Sequence, residues 1–150
     1  MNIIDFIVCD DIRHEVSNKN TIIGAYDEQL VFHVQDVTVD QWPKQLKLGF
    51  FIRIKLHEGD PMPDEFHVEF VHEGKIFSNV RGSFSVPSKI TLINLALVSN
   101  HFKISGKGQI SFNVKLLKSN KLIFESSPDY RLTVMTTQDI NQMSLLDTQN

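Results

Sequence analysis

Apolar and polar residues alternate with a period of two over much of this chain. Leu48, Phe50, Ile52, Ile54 and Leu56 fall on one side of an extended segment, and Phe51, Arg53, Lys55 and His57 on the other. Successive strand side chains point to opposite faces, so the pattern predicts a long, half-buried strand. Phe66, Val68 and Phe70 repeat it against His67, Glu69 and Val71. Between the two, "EGDPMPDE" gathers one glycine, two prolines and four acids, which predicts a loop closing a hairpin. Matching the apolar faces of that hairpin sets Arg53 or Lys55 across from Glu69.

Further along, Ile110, Phe112, Val114 and Leu116 alternate again, "KSNK" turns the chain, and Leu122 to Glu125 returns. Placing Leu116 and Phe124 on one face calls for an odd loop such as Ser119 to Lys121. Tyr130, Leu132 and Val134 read as a closing strand after Pro128, and Ile22 to Tyr26 and Leu30 to Val34 as strands around "YDEQ". Ile90 to Val98 is a buried strand or a short helix, and its β-branched content favours the strand. Many short strands with regular turn signals and few helical ones predict an all-β fold. The expected architecture is an antiparallel β-sandwich of seven to nine strands over residues 1–135. Residues 136–150, a polar stretch with a small apolar island, form a C-terminal tail, mobile or docked.

At 150 residues and 41% apolar content, the chain is long enough for one domain with a substantial core. No run approaches bilayer length, and "MNIIDF" lacks the basic and long apolar segments of a secretory signal, so the expected location is cytoplasmic. One cysteine allows no internal disulfide. The net charge of −3 hides an uneven distribution. Gly74 to Phe124 holds eight Lys and Arg and no acid, while the remainder holds seven basic and eighteen acidic residues. Such asymmetry hints at an anionic partner, or at acidic and basic strands lying side by side.

Cys9 is followed directly by Asp10 and Asp11, which raises the question of an active or metal site. A nucleophilic thiol needs a nearby cation or helix N-terminus, and two carboxylates act in the opposite sense. The apolar run before it makes Cys9 a small hydrophobe at the end of a buried strand. Adjacent residues on a strand point apart, so one ion does not readily use both Asp10 and Asp11. Calcium would need further oxygens from Asp27, Glu28, Asp60 or Asp64, which lack a characteristic spacing. The stretch Cys9, Asp10, Asp11, Ile12, Arg13, followed by "IIGAY" at Ile22 to Tyr26, resembles the opening of an uncharacterised family of small bacterial proteins. The resemblance covers about the first thirty residues. It implies a small β-sandwich and no particular activity.

The six histidines show no HxH or HExxH spacing, although the expected hairpin would bring His57 near His67. "SGKGQ" lacks the full phosphate-loop spacing, and no Gly-x-Ser-x-Gly elbow is present, so no catalytic residue or cofactor is assigned. Candidate contact residues lie elsewhere. Phe51 and Val71 occupy the outer face of the expected hairpin, and Trp42 precedes a proline in a loop. Exposed apolar side chains of this kind mark interfaces unless a loop covers them. In the tail, Gln142, Met143, Ser144, Leu145 and Leu146 resemble the short peptides by which bacterial proteins bind the replication sliding clamp. That resemblance implies an extended segment with Leu145 and Leu146 in an apolar pocket. Against it, Ile140, Met143 and Leu146 have helical spacing and would dock on the domain. The sequence therefore reads as a non-catalytic interaction module that binds another protein or itself. The alternatives are a DNA-associated adaptor whose tail binds the clamp, and a small metal-dependent hydrolase. The overall acidic charge speaks against nucleic acid.

Overall fold

The computed structural model describes residues 1–16, 19–34, 41–85 and 90–147, with backbone alone for 143–147. In chain order the elements are β1 (Asn2–Glu15), β2 (Lys19–Tyr26), β3 (Gln29–Phe32), β4 (Lys44–Lys55) and β5 (Glu65–His72). They continue with β6 (Lys75–Ser83), β7 (Leu92–Ile104), β8 (Gly108–Lys118), β9 (Lys121–Ser126), β10 (Leu132–Thr136) and α1 (Thr137–Asp147). The strands form two sheets. The first has the order β2-β1-β4-β7, and the second β3-β10-β8-β5-β6, with β9 pairing the far half of β8. The fold is an all-β sandwich.

Alternation along the strands builds the core. Leu48, Phe50, Ile52 and Ile54 of β4 point inward from the first sheet, and Phe66, Val68 and Phe70 of β5 and Phe112, Val114 and Leu116 of β8 from the second. Phenylalanines interlock across the gap, with ring centroids 4.8 Å apart for Phe50 and Phe70 and 4.8 Å for Phe6 and Phe112.

Several expectations change. β4 and β5 do not form a hairpin: they belong to opposite sheets, and the Gly/Pro-rich segment between them crosses from one layer to the other. Two strands facing each other across a core bury the same alternate positions as two strands side by side, so the pattern fitted both arrangements. Arg53 accordingly pairs with Asp5 of β1, and Glu69 with Lys115 of β8. The hairpin partner of β5 is β6, a strand with weak alternation that the sequence did not reveal, joined through left-handed Glu73 and Gly74. Among the described residues the strands number ten, where about seven to nine were expected. Pairing is not wholly antiparallel, since β3 runs parallel to β10.

Leu116 does stand opposite Phe124, by a different route from the odd loop. Ser119 and Asn120 are both left-handed, as a two-residue type I′ turn requires, and a bulge supplies the extra residue. Cys9 lies mid-strand in β1 rather than at its end. The tail begins as helix α1 instead of an extended segment. No helix among the described residues is long and apolar enough to cross a membrane.

Candidate partner-binding surface

The outer faces of the two sheets differ in chemistry. On the second sheet, Glu69 accepts hydrogen bonds from Lys115 at 2.8 Å and Asn113 at 3.2 Å, and Asn113 also donates to Glu125 at 2.7 Å. The network draws on β5, β8 and β9. The Lys115 ammonium holds the Glu69 carboxyl below its ordinary range, and Glu69 in turn raises Lys115. Here Lys115 of β8 lies between Glu69 of β5 and Glu125 of β9, so part of the charge asymmetry along the chain is cancelled in space. Lys107 likewise bonds Asp139, at 2.9 Å.

The first sheet presents two apolar rows on its outer face. Residues directly opposite one another on neighbouring strands share a face. One row runs Ile7, Phe51, Ala96 across β1, β4 and β7; the next runs Ala25, Cys9, Gly49, Val98 across all four strands. Phe51, Ile7 and Ala96 are half-buried, and Val98 is 41% exposed. Ile7, Phe51 and Val98 stand outside the set of side chains that pack on the core. Ion pairs frame the rows at both ends, Asp5 with Arg53 on one side and Asp11 with Lys47, 2.6 Å apart, on the other. Hydrogen bonding and charge from Lys47 hold Asp11 below the usual carboxylate range.

Cys9 is fully buried within this face. Desolvation pushes its thiol up, and the neighbouring Asp10 and Asp11 add to the shift despite an opposing backbone hydrogen bond. It is a packed thiol. Gly49 makes room for it: a Cβ at that position would stand 2.8 Å from the Cys9 sulfur and 3.1 Å from Ile12 Cγ1. Gly49→Ala is therefore expected to cost about 1–2 kcal/mol by overpacking. Urea denaturation measures the loss, and adding Cys9→Ala in the same chain returns part of it.

The two halves of the N-terminal sequence pattern meet across β1 and β2. Asp10 covers left-handed Gly24, where a Cβ would fall 2.0 Å from its Oδ2, and it accepts the Tyr26 hydroxyl hydrogen bond. Burial first, then Asp10, raises the Tyr26 phenol well above its ordinary range. These residues lock the register of a hairpin. Neither Asp10 nor Asp11 faces a metal-ligating set: among the described residues, no three His, Cys, Asp or Glu gather as an ion would need. His57 contacts Asn2, and His67 lies 3.9 Å from Glu65, so the expected His57–His67 approach is replaced by separate partners.

Phe51 and Val71 do not form one patch. Each is half-buried on the outer face of its own sheet, on opposite sides of the sandwich. Trp42 is placed elsewhere again, packed edge-on against Phe32 at 5.7 Å with the Lys44 ammonium 5.0 Å above its ring. Gln142 is exposed on α1, while the side chains of Met143, Leu145 and Leu146 lie outside the described residues. Sequence reasoning found Phe51 and missed its neighbours. Ile7 sits in a continuous apolar run that reads as buried on both sides, and Ala96 and Val98 sit in another. The signal was the pair of small residues, Gly49 packed against Cys9 and Ala96 directly opposite Phe51.

Comparison with known families matches residues 4–122 to DUF6941, described as a family of unknown function. The chain belongs to that family. The DUF6941 match runs from β1 to the start of β9 and takes in the whole outer face of the first sheet. A family of unknown function is consistent with the uncharacterised family that the N-terminal resemblance implied, in that respect alone. No curated protein matches the chain.

Proposed function

We propose that this domain is a non-catalytic interaction module that binds a protein partner through the outer face of its first sheet, with Phe51 at the centre. The supporting observation is the contrast between the two outer faces. Glu69, Asn113, Lys115 and Glu125 fill the centre of one in a satisfied network, with the part-exposed apolar pairs Val71–Ile76 and Leu117–Leu122 to its sides; the other has an apolar centre, the row Ile7, Phe51, Ala96, with an ion pair at each end. Apolar centres with polar rims are how protein interfaces are built, and an aromatic in such a centre carries much of the binding energy.

The test uses Phe51→Asp and, as its mirror on the other sheet, Val71→Asp. Both chains are immobilised beside the wild type, and proteins captured from native lysate are identified by mass spectrometry. The expected result is a partner lost from Phe51→Asp and kept by Val71→Asp, with both melting temperatures near wild type. A partner kept by Phe51→Asp, or lost equally from both, overturns the reading.

A further inference from the structure

Among the described residues, β7 ends the first sheet with an unpaired edge beside the Phe51 face. β7 pairs β4 alone, and no other described strand covers its far side. Edge strands invite pairing with another chain, and proteins usually blunt them with charge, proline, bulges or brevity. The other edges of this sandwich follow that rule: β2 is interrupted by left-handed Gly24, β3 has four residues, β6 carries Lys75 and Arg81, and β9 carries Lys121 and Glu125. β7 departs from it. From Leu92 to Ser99 it has no charge and no proline, and the bulge at Asn100 and His101 comes only after this flat run.

The hydrogen-bond phase shows what the edge offers. Leu56 N–H donates to the Thr91 carbonyl at 2.9 Å, so the odd-numbered residues that follow aim their peptide groups at β4. The even-numbered Leu92, Asn94, Ala96 and Val98 aim theirs away from the sheet. Of these, Leu92 is 36% and Val98 is 41% exposed, the two large apolar side chains of the strand that water reaches most.

We propose that β7 pairs antiparallel with β7 of a second copy of this chain, about a two-fold axis at Leu95, fusing the two first sheets into one eight-stranded sheet. This register sets Leu92 against the second copy's Val98, and Asn94 against its Ala96, on the outer face. Ile93 meets the second copy's Leu97, and Leu95 meets its own counterpart, on the inner face. A shift by two residues either way puts Val98 against Asn94 or Leu92 against Ala96, so one register alone joins both exposed hydrophobics. No charge confronts a like charge along the seam, which suits a self-complementary contact. On the inner side a cleft of about 330 Å³ opens along this edge, lined by Phe66, Phe84, Ile90, Ile93, Leu95 and Leu97, and it receives the second copy's inward side chains.

The dimer rests on reading the domain as an interaction module, and it uses the β7 edge of the face on which Phe51 stands, sharing Ala96 and Val98 with that face. Sedimentation equilibrium of the full chain, from micromolar to near-millimolar concentration, is expected to show a reversible dimer. Val98→Lys and Leu92→Glu should each weaken it about 100-fold by setting a charge against an apolar side chain at both ends of the seam. Combined in one chain they oppose ammonium to carboxylate at both ends, and dimerisation should return to within about tenfold of wild type. Ala96→Pro removes an outward N–H without touching the β4 pairing, and should leave a folded monomer. A wild type that stays monomeric throughout, a dimer indifferent to all three single substitutions, or a double variant no better than its parents overturns the pairing. Phe51→Asp separates the two proposals: it should lose the captured partner and keep the wild-type dimer.

Discussion

Phe70→Ala is expected to lower the stability of the domain by about 3–5 kcal/mol, the range for removing a fully buried aromatic from a core that cannot collapse around the gap. Phe70 is fully buried on β5, with ring centroids 4.8 Å from Phe50, 4.9 Å from Phe102, 5.8 Å from Phe112 and 6.4 Å from Phe77. Those rings come from β4, β7, β8 and β6, so no single strand can shift to refill the space. Edge-to-face contacts with Phe102 and Phe112 add to the burial that is lost. For a chain of this size the loss corresponds to roughly 10 °C or more in melting temperature. Val71→Ala, one residue on but facing outward, should cost under about 1 kcal/mol. Thermal denaturation of the two variants decides the matter, and near-equal losses would contradict the placement of β5 in the second sheet's inner face.

The same pair of residues shows how far the sequence could be read. Alternation fixed which side of β5 is buried, because one face meets the core whatever its neighbours are. It could not fix the neighbours. β4 and β5 bury their alternate positions toward each other across the sandwich, and the pattern looks identical to that of a hairpin. The decisive information lay in Glu73 and Gly74, whose left-handed backbones close the β5–β6 turn. A glutamate in that conformation gives little warning, and in β6 the bulge beside Phe77 breaks the period, so that Phe77 and Val80, three residues apart, both pack on the core. The Leu116–Phe124 pairing was legible for the opposite reason. A bulge preserved the face even though the loop length was misjudged.

The candidate surface was legible in part. Phe51 stands out because it breaks the alternation with an aromatic where polar residues are expected. Ile7, Ala96 and Val98 lie in runs that are apolar on every residue, where a period-two reading has nothing to discriminate. Val71 broke the alternation in the same way as Phe51, yet stands beside a polar network on the far sheet. A single apolar residue on an outer face therefore becomes informative only when topology supplies its cross-strand neighbours.

The second large effect is at the junction of the sandwich and its helix. Thr136, the last residue of β10, is fully buried, and both its N–H and its hydroxyl donate to Asp139 Oδ2 at 2.7 Å. Asp139 sits three residues on, in the first turn of α1, where a carboxylate also suits the helix dipole. Lys107 bonds its other oxygen at 2.9 Å. Together these bonds, Lys107 first, hold the Asp139 carboxyl down to about 2. Asp139→Ala leaves two buried donors without their acceptor, a penalty of about 2–3 kcal/mol if the surroundings stay closed.

The chain can limit that penalty by releasing α1, which lets water reach Thr136. Asp139→Ala should therefore show faster amide exchange across residues 137–147 before global unfolding, and exchange monitored by mass spectrometry distinguishes the two. The sign with pH follows from the depressed carboxyl. Its contribution is fully present above the unfolded value near 4, and is lost as pH falls from there toward about 2. Amide exchange in α1 should accelerate over that window in the wild type and change far less in Asp139→Ala. This latch also bears on Gln142 to Leu146. A clamp-type peptide binds extended, whereas these residues are helical here, so engaging one requires α1 to unwind. If the tail is a recognition segment, Asp139→Ala should strengthen its binding. Unchanged or weaker binding would assign α1 to the support of β10 instead.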